Sequence, residues 1–160
     1  MDKTGLLITL YLVSKKLLFR PSLYLSAFFE ANRPLYYDNL TRVRTKNDLT
    51  QWLKFFLVGA IQTAGSSVAT FRQITMLKQR LETKIAGLGR KQSNAEKLLY
   101  HLFSQPVVTA QDVEAVLQSS APTAHAILKD FSALGILQER TGYQRNRVFS
   151  FQEYIALFEE

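Results

Sequence analysis

The residues able to do chemistry are few, and they sit in two places. The chain of 160 residues has no cysteine, which excludes disulfides, thiolate metal sites and a cysteine nucleophile. His101 and His125 are its two histidines, too few for a His-rich metal site, and no metal is expected. Near the C-terminus, Thr123, His125 and Lys129 share a stretch of helical spacing. Arg140, Gln144, Arg145 and Arg147 follow within a short polar segment. A helix carrying polar side chains beside a cationic hairpin is an arrangement that meets nucleic acid or a protein partner. In that arrangement Arg145 and Arg147 would neutralise phosphates.

The elements that must hold these residues can be read from the spacing. Asn94 opens a helix through Leu98, Leu99, Leu102 and Phe103, stopped near Pro106. Thr109-Ala110-Gln111-Asp112 has the form of a capping box with Asp in place of Glu, heading a short helix with Val113, Val116 and Leu117. After the tight Gln118-Ser119-Ser120 connection, a third helix spans Ala121–Leu134 and ends at Gly135. Residues 136–140 and 147–151 read as two strands joined by a polar loop. This is the order of a winged helix-turn-helix, assigned to residues 94–160.

Residues 1–88 read as a helical bundle. Residues 4–18 form an apolar stretch whose longest run, Leu6–Val13, broken by Thr9, is too short to span a membrane and is followed by Lys15, Lys16 and Arg20 rather than a cleavage site, so a buried helix in a cytoplasmic protein is expected. Further helices are predicted from Leu23 to Ala31, capped by Ser22, and from Leu35 to Thr45, capped by Asn32. Residues 49–64 are apolar nearly all round, as for a helix central to a bundle. Gly65-Ser66-Ser67 predicts a kink or break, and Val68–Ile85 a more polar helix. Gly87–Ser93 reads as the linker between the domains. The fold class is therefore mainly α, with a small β-hairpin.

Net charge is +7, unevenly spread. Residues 1–93 hold 15 Lys/Arg against 5 Asp/Glu, and residues 94–160 hold 5 against 8. The C-terminal part is thus net negative, which weighs against DNA because phosphate attraction dominates that affinity. A protein partner is favoured over DNA. A third reading, a plain DNA-binding regulator, would draw phosphate contacts from Arg42, Arg44, Lys46 and Arg72 or Lys78 of the basic bundle, although a solvated basic face is the simpler account.

Several strings resemble a known family. Leu7–Val13, Pro21–Ser26 and Phe29-Glu30-Ala31-Asn32-Arg33-Pro34-Leu35-Tyr36-Tyr37-Asp38-Asn39-Leu40-Thr41-Arg42-Val43-Arg44 resemble the part of Fic domains that directly follows their active-site motif. Trp52–Leu57 continues the likeness, and Thr109–Phe149 resembles the winged helix at the C-terminus of many bacterial Fic proteins. The resemblance implies kinship with enzymes that transfer AMP from ATP to a target hydroxyl. Their motif is His-x-Phe-x-Asp/Glu-Gly-Asn-Gly-Arg-x-x-Arg, with the His as general base and the acidic residue holding a metal. That motif is not in these 160 residues: no histidine precedes His101 and no Gly-Asn-Gly occurs.

The resemblance therefore implies a catalytically inactive, truncated relative that acts through binding. The alternative is a fragment whose catalytic motif lies upstream of Met1, and ATP and Mg would serve only if that motif were supplied. Tyr36, Tyr37 and Arg44 fall where relatives line the nucleotide pocket, so a vestigial nucleotide contact is implied there. Helices built to pack against a missing half expose apolar surface, and homodimerisation through the first four helices is expected.

Overall fold

The computed structural model describes residues 10–11, 14–16, 25–143 and 146–158. Among them the chain is mainly helical, with one three-stranded antiparallel sheet. Contacts divide it into two compact units, Met1–Ala69 and Thr70–Glu160. No helix among the described residues is long and apolar enough to cross a membrane.

The first unit holds α1 (Leu25–Ala31), α2 (Arg33–Lys46) and the leading part of α3 (Leu49–Ala86). Most of the predicted helix over 4–18, and the Ser22 cap, lie outside the described residues. Leu10 and Tyr11 of that stretch are exposed rather than buried. Asn32 does not cap α2 with its side chain. Its amide instead donates to the Phe28 carbonyl at 2.9 Å, closing α1, while Pro34 in the first turn of α2 lacks the N–H that a cap would satisfy. Asn47 ends α2 in the left-handed conformation (φ 53°), and Asp48 Oδ1 accepts from the Gln51 amide to start α3.

An aromatic cluster holds this unit together. Leu25, Phe29 and Tyr36 are buried against Phe28, Leu40, Trp52, Phe55, Phe56 and Ala60. The Phe29 ring lies 5.0 Å from Tyr36 and 5.9 Å from Phe55, within the range of favourable aromatic pairing. Gly59 is where α3 meets α1 most closely, since a Cβ there would stand 2.4 Å from Phe28 Cδ1. The apolar run over 49–64 is therefore only half used. Trp52, Phe55 and Phe56 turn inward, while Leu49, Leu53, Leu57, Val58 and Ile61 are exposed. The expectation of a central helix buried all round is corrected accordingly.

Helix α3 also runs unbroken through Gly65-Ser66-Ser67, where a kink or break was expected. Gly and Ser cost helix propensity, about 1 kcal/mol for Gly, but neither removes a backbone hydrogen bond as proline would.

The second unit comprises the end of α3, α4 (Gln92–Leu102), β1 (Val107–Thr109), α5 (Ala110–Leu117), α6 (Ala121–Ala133), β2 (Gln138–Glu139), β3 (Val148–Ser150) and α7 (Gln152–Ile155). Leu77, Leu81 and Ile85 of α3 enter the same core as Leu98, Leu99, Leu102, Ile127, Leu128, Phe131 and Phe151. A domain beginning at 94 would leave those positions uncovered. The boundary expected over 88–94 therefore moves into α3, and the predicted linker is a turn followed by a 3₁₀ segment, Gly89–Lys91, inside the unit. Polar contacts tie α3 further. Arg80 pairs with Glu153, Lys84 Nζ donates to the Leu134 carbonyl, and Tyr100 donates to Glu82 at 3.0 Å while Lys78 sits over its ring.

The sheet has the order β1–β3–β2, with Val108 opposite Phe149 and Glu139 opposite Phe149 from the other side. The two predicted strands are present but shorter, and β1 is an addition. Its three β-branched residues follow Pro106, a strand signal obscured by the cap signal that overlaps it at Thr109. The cap is as expected: the Asp112 amide donates to Thr109 Oγ1, and Thr109 N–H donates to Asp112 Oδ2 at 2.7 Å. Gly135 (φ 70°) ends α6, and the Ile136 amide returns to the Phe131 carbonyl.

Two outcomes follow for stability. Gly59→Ala should destabilise the first unit by about 1–2 kcal/mol in urea unfolding, because overpacking against Phe28 outweighs the helix-propensity gain. The Thr109 backbone and hydroxyl hydrogen bonds hold the Asp112 carboxyl below its ordinary value of 3.8. The stability this gives is full above that ordinary value and is lost as pH falls through the lower folded value. Asp112→Asn removes the charge that these bonds favour, so its Tm at neutral pH should fall toward the level the parent reaches in acid, and this part of the acid loss should disappear.

Candidate docking groove

One open groove of about 1110 Å³ lies in the second unit, between the start of α5, one face of α6 and the β2–β3 edge. Leu128 and Phe149 give it an apolar floor. Its rim carries both signs, Lys129 and Arg147 against Glu114 and Glu139, with His125, Gln111, Ser132 and Asn146 as further polar groups.

The local fold explains each placement. On α6, Ala124, Ile127, Leu128 and Phe131 are buried, so His125, Lys129 and Ser132 are left facing out at helical spacing. On the hairpin, Glu139 is locked by its own turn. The Thr141 hydroxyl donates to it at 2.9 Å and holds its carboxyl below the ordinary 4.5, helped by the Gly142 amide at 2.8 Å and the Arg147 charge. Glu139 is thus a fixed negative charge at neutral pH. Arg147 is oriented by its Nε donating to the Tyr143 carbonyl at 2.9 Å.

Of the C-terminal residues singled out by sequence, His125, Lys129 and Arg147 come together here. Thr123 does not join them. Its hydroxyl lies 3.2 Å from Ser120 Oγ at the start of α6. Arg140 is exposed at the end of β2, where its amide donates to the Val148 carbonyl, and its side chain is not part of the groove lining. Gln144 and Arg145 lie outside the described residues. Glu114, Glu139, Gln111 and Ser132 were not anticipated, because only the folded arrangement of α5, α6 and the hairpin brings them to one rim. Glu139 is one of the two exposed residues of β2, and Gln111 and Glu114 lie on α5 away from its buried Val113 and Leu117. The charge balance also changes with the boundary: residues 70–160 hold 11 Lys/Arg against 9 Asp/Glu, a net +2 rather than a negative domain.

The three N-terminal residues differ in exposure. Tyr36 is buried in the aromatic cluster, edge-on to Trp52 and to Tyr37. Tyr37 is 54% exposed beneath the Arg33 guanidinium, and Arg44 is exposed in the last turn of α2. Among the described residues no cluster of three or more His, Cys, Asp or Glu side chains forms.

The tyrosine pair should therefore separate on mutation. Tyr36→Ala should cost about 3–4 kcal/mol of stability, as for a large buried aromatic ring. Tyr37→Ala should stay within about 0.5 kcal/mol, both read by urea denaturation. No family model matches the chain.

Proposed function

We propose that the chain works by binding, not catalysis, and that its second unit is a winged helix that docks a partner protein in the groove between α6 and the hairpin. The order helix, strand, helix, tight connection, helix, hairpin supports the winged-helix assignment. The Fic-like strings support kinship with that family, while its histidine, its Gly-Asn-Gly and its arginines have no counterpart in these 160 residues. The burial of Tyr36 favours a structural role there over a nucleotide contact.

The observation that carries the choice of protein over DNA is the composition of the groove. Base edges in the major groove are read chiefly by Arg, Lys, Asn and Gln. The exposed face of α6 offers Ala121, Pro122, His125, Lys129, Ser132 and Ala133, of which one is such a residue. Glu114 and the fixed charge of Glu139 stand in the same groove, where they would oppose phosphates. Mixed charge around an apolar floor suits a peptide segment of a folded or unfolded partner.

Selection from random libraries tests this. A random peptide library should yield ligands that lose about tenfold or more in affinity to Lys129→Glu. A pool of random duplexes should yield no enriched sequence. An enriched duplex whose binding is lost in Lys129→Glu would move the function to DNA. Incubation with labelled ATP and magnesium should transfer no AMP to any protein, and labelling would overturn the non-catalytic reading.

A further inference from the structure

We infer that the outward face of α3 in the first unit is a self-association seam that takes a second copy of this chain, antiparallel to the first. This goes beyond the docking groove, which lies in the other unit, and does not depend on it.

The residues of α3 within the first unit divide into two arcs. At about 100° per residue, Trp52, Phe55, Phe56 and Gly59 face the aromatic cluster and α1. Leu53, Leu57, Ile61, Ala64 and Val68 fall within a second arc about 80° wide, centred about 150° away. All five are exposed, Ile61 by 72%. The spacing from Leu57 to Val68 is four, three, four, the alternation of a helix–helix seam.

The occupant is argued from charge, symmetry and area. From Phe55 to Ala69, fifteen residues carry no ionisable side chain. Such a face has nothing to offer a charged partner and is matched by another uncharged, apolar helix. The four-three-four spacing reads the same in both directions, so a two-fold axis places Leu57 opposite Val68 of the other copy and Ile61 opposite Ala64. That satisfies the self-complementarity an isologous contact demands. The small Ala64 and the neighbouring Gly65 make room for the larger side chains of the facing helix. A parallel pair would set the two Lys54 ammonium groups side by side, whereas an antiparallel pair holds them at opposite ends. Under that axis the two copies overlap from Leu57 to Val68, about 18 Å along a helix about 10–12 Å wide, which buries on the order of 300 Å² per copy. That is below the usual size for a specific interface, so the dimer is a weak one and should come apart at micromolar concentration.

Sedimentation of the full chain between about 1 and about 100 µM tests the seam. The mass should rise from 18.3 kDa toward twice that value. Ile61→Glu should remain at the monomer mass with an unchanged helical circular dichroism spectrum, while Lys129→Glu, in the other unit, should associate like the parent. A parent that stays monomeric throughout, or an Ile61→Glu chain that associates equally well, overturns the proposal. Because the chain has no cysteine, a second measurement stands even if Ile61→Glu misfolds. An oxidised mixture of Leu57→Cys and Val68→Cys chains should give a cross-linked dimer in far higher yield than either alone. Equal or greater yield from one variant alone, or no cross-link in the mixture, defeats the antiparallel seam.

Discussion

The burial of Leu77, Leu81 and Ile85 against α4 and α6 is the constraint on which the second unit rests. The three side chains recur every four residues along α3, so one stripe of the helix forms a wall of the core. Each is at most 5% exposed, and removing a leucine of that kind typically costs about 2–5 kcal/mol. The sheet, with three strands of two or three residues each, does not stand without such a wall. The polar ties at Arg80, Lys84 and Lys91 lie at the rim of this packing and, being exposed, set its angle more than its strength.

Given that wall, the groove follows with little freedom. Helix α6 buries four residues of one face and must turn His125, Lys129 and Ser132 outward. Strand β3 pairs on both edges, with β1 and with β2, which fixes Arg147 and Phe149 beside α6. The turn from Glu139 to Gly142 ties its own carboxylate with a hydroxyl and an amide. An acid in the groove is thus as firmly placed as the cations.

The parts of this fold that are legible in sequence are those with local physical causes. The Thr109 box, the Gly135 stop and the inward positions of α4, α5 and α6 are set by residues within a few positions of one another. The boundary between units was not legible, because Leu77, Leu81 and Ile85 carry the same helical period whichever core they join. The Gly65-Ser66-Ser67 stretch misled for a related reason: a low-propensity run weakens a helix without ending it. Strand β1 was hidden because Thr109 is both its last residue and the cap of α5. For the groove, the cations were legible by type and the acids were not, since only the closing of the hairpin over α6 brings Glu114 and Glu139 to one rim.

That double duty of Thr109 leaves the junction with no slack. Its backbone is in register with Val148 across the sheet, and its hydroxyl closes the first turn of α5. Adding or removing one residue there would reverse which β1 side chains face the core and unseat the helix start in the same stroke. Length variation among chains of this design should therefore be absent between Val107 and Asp112.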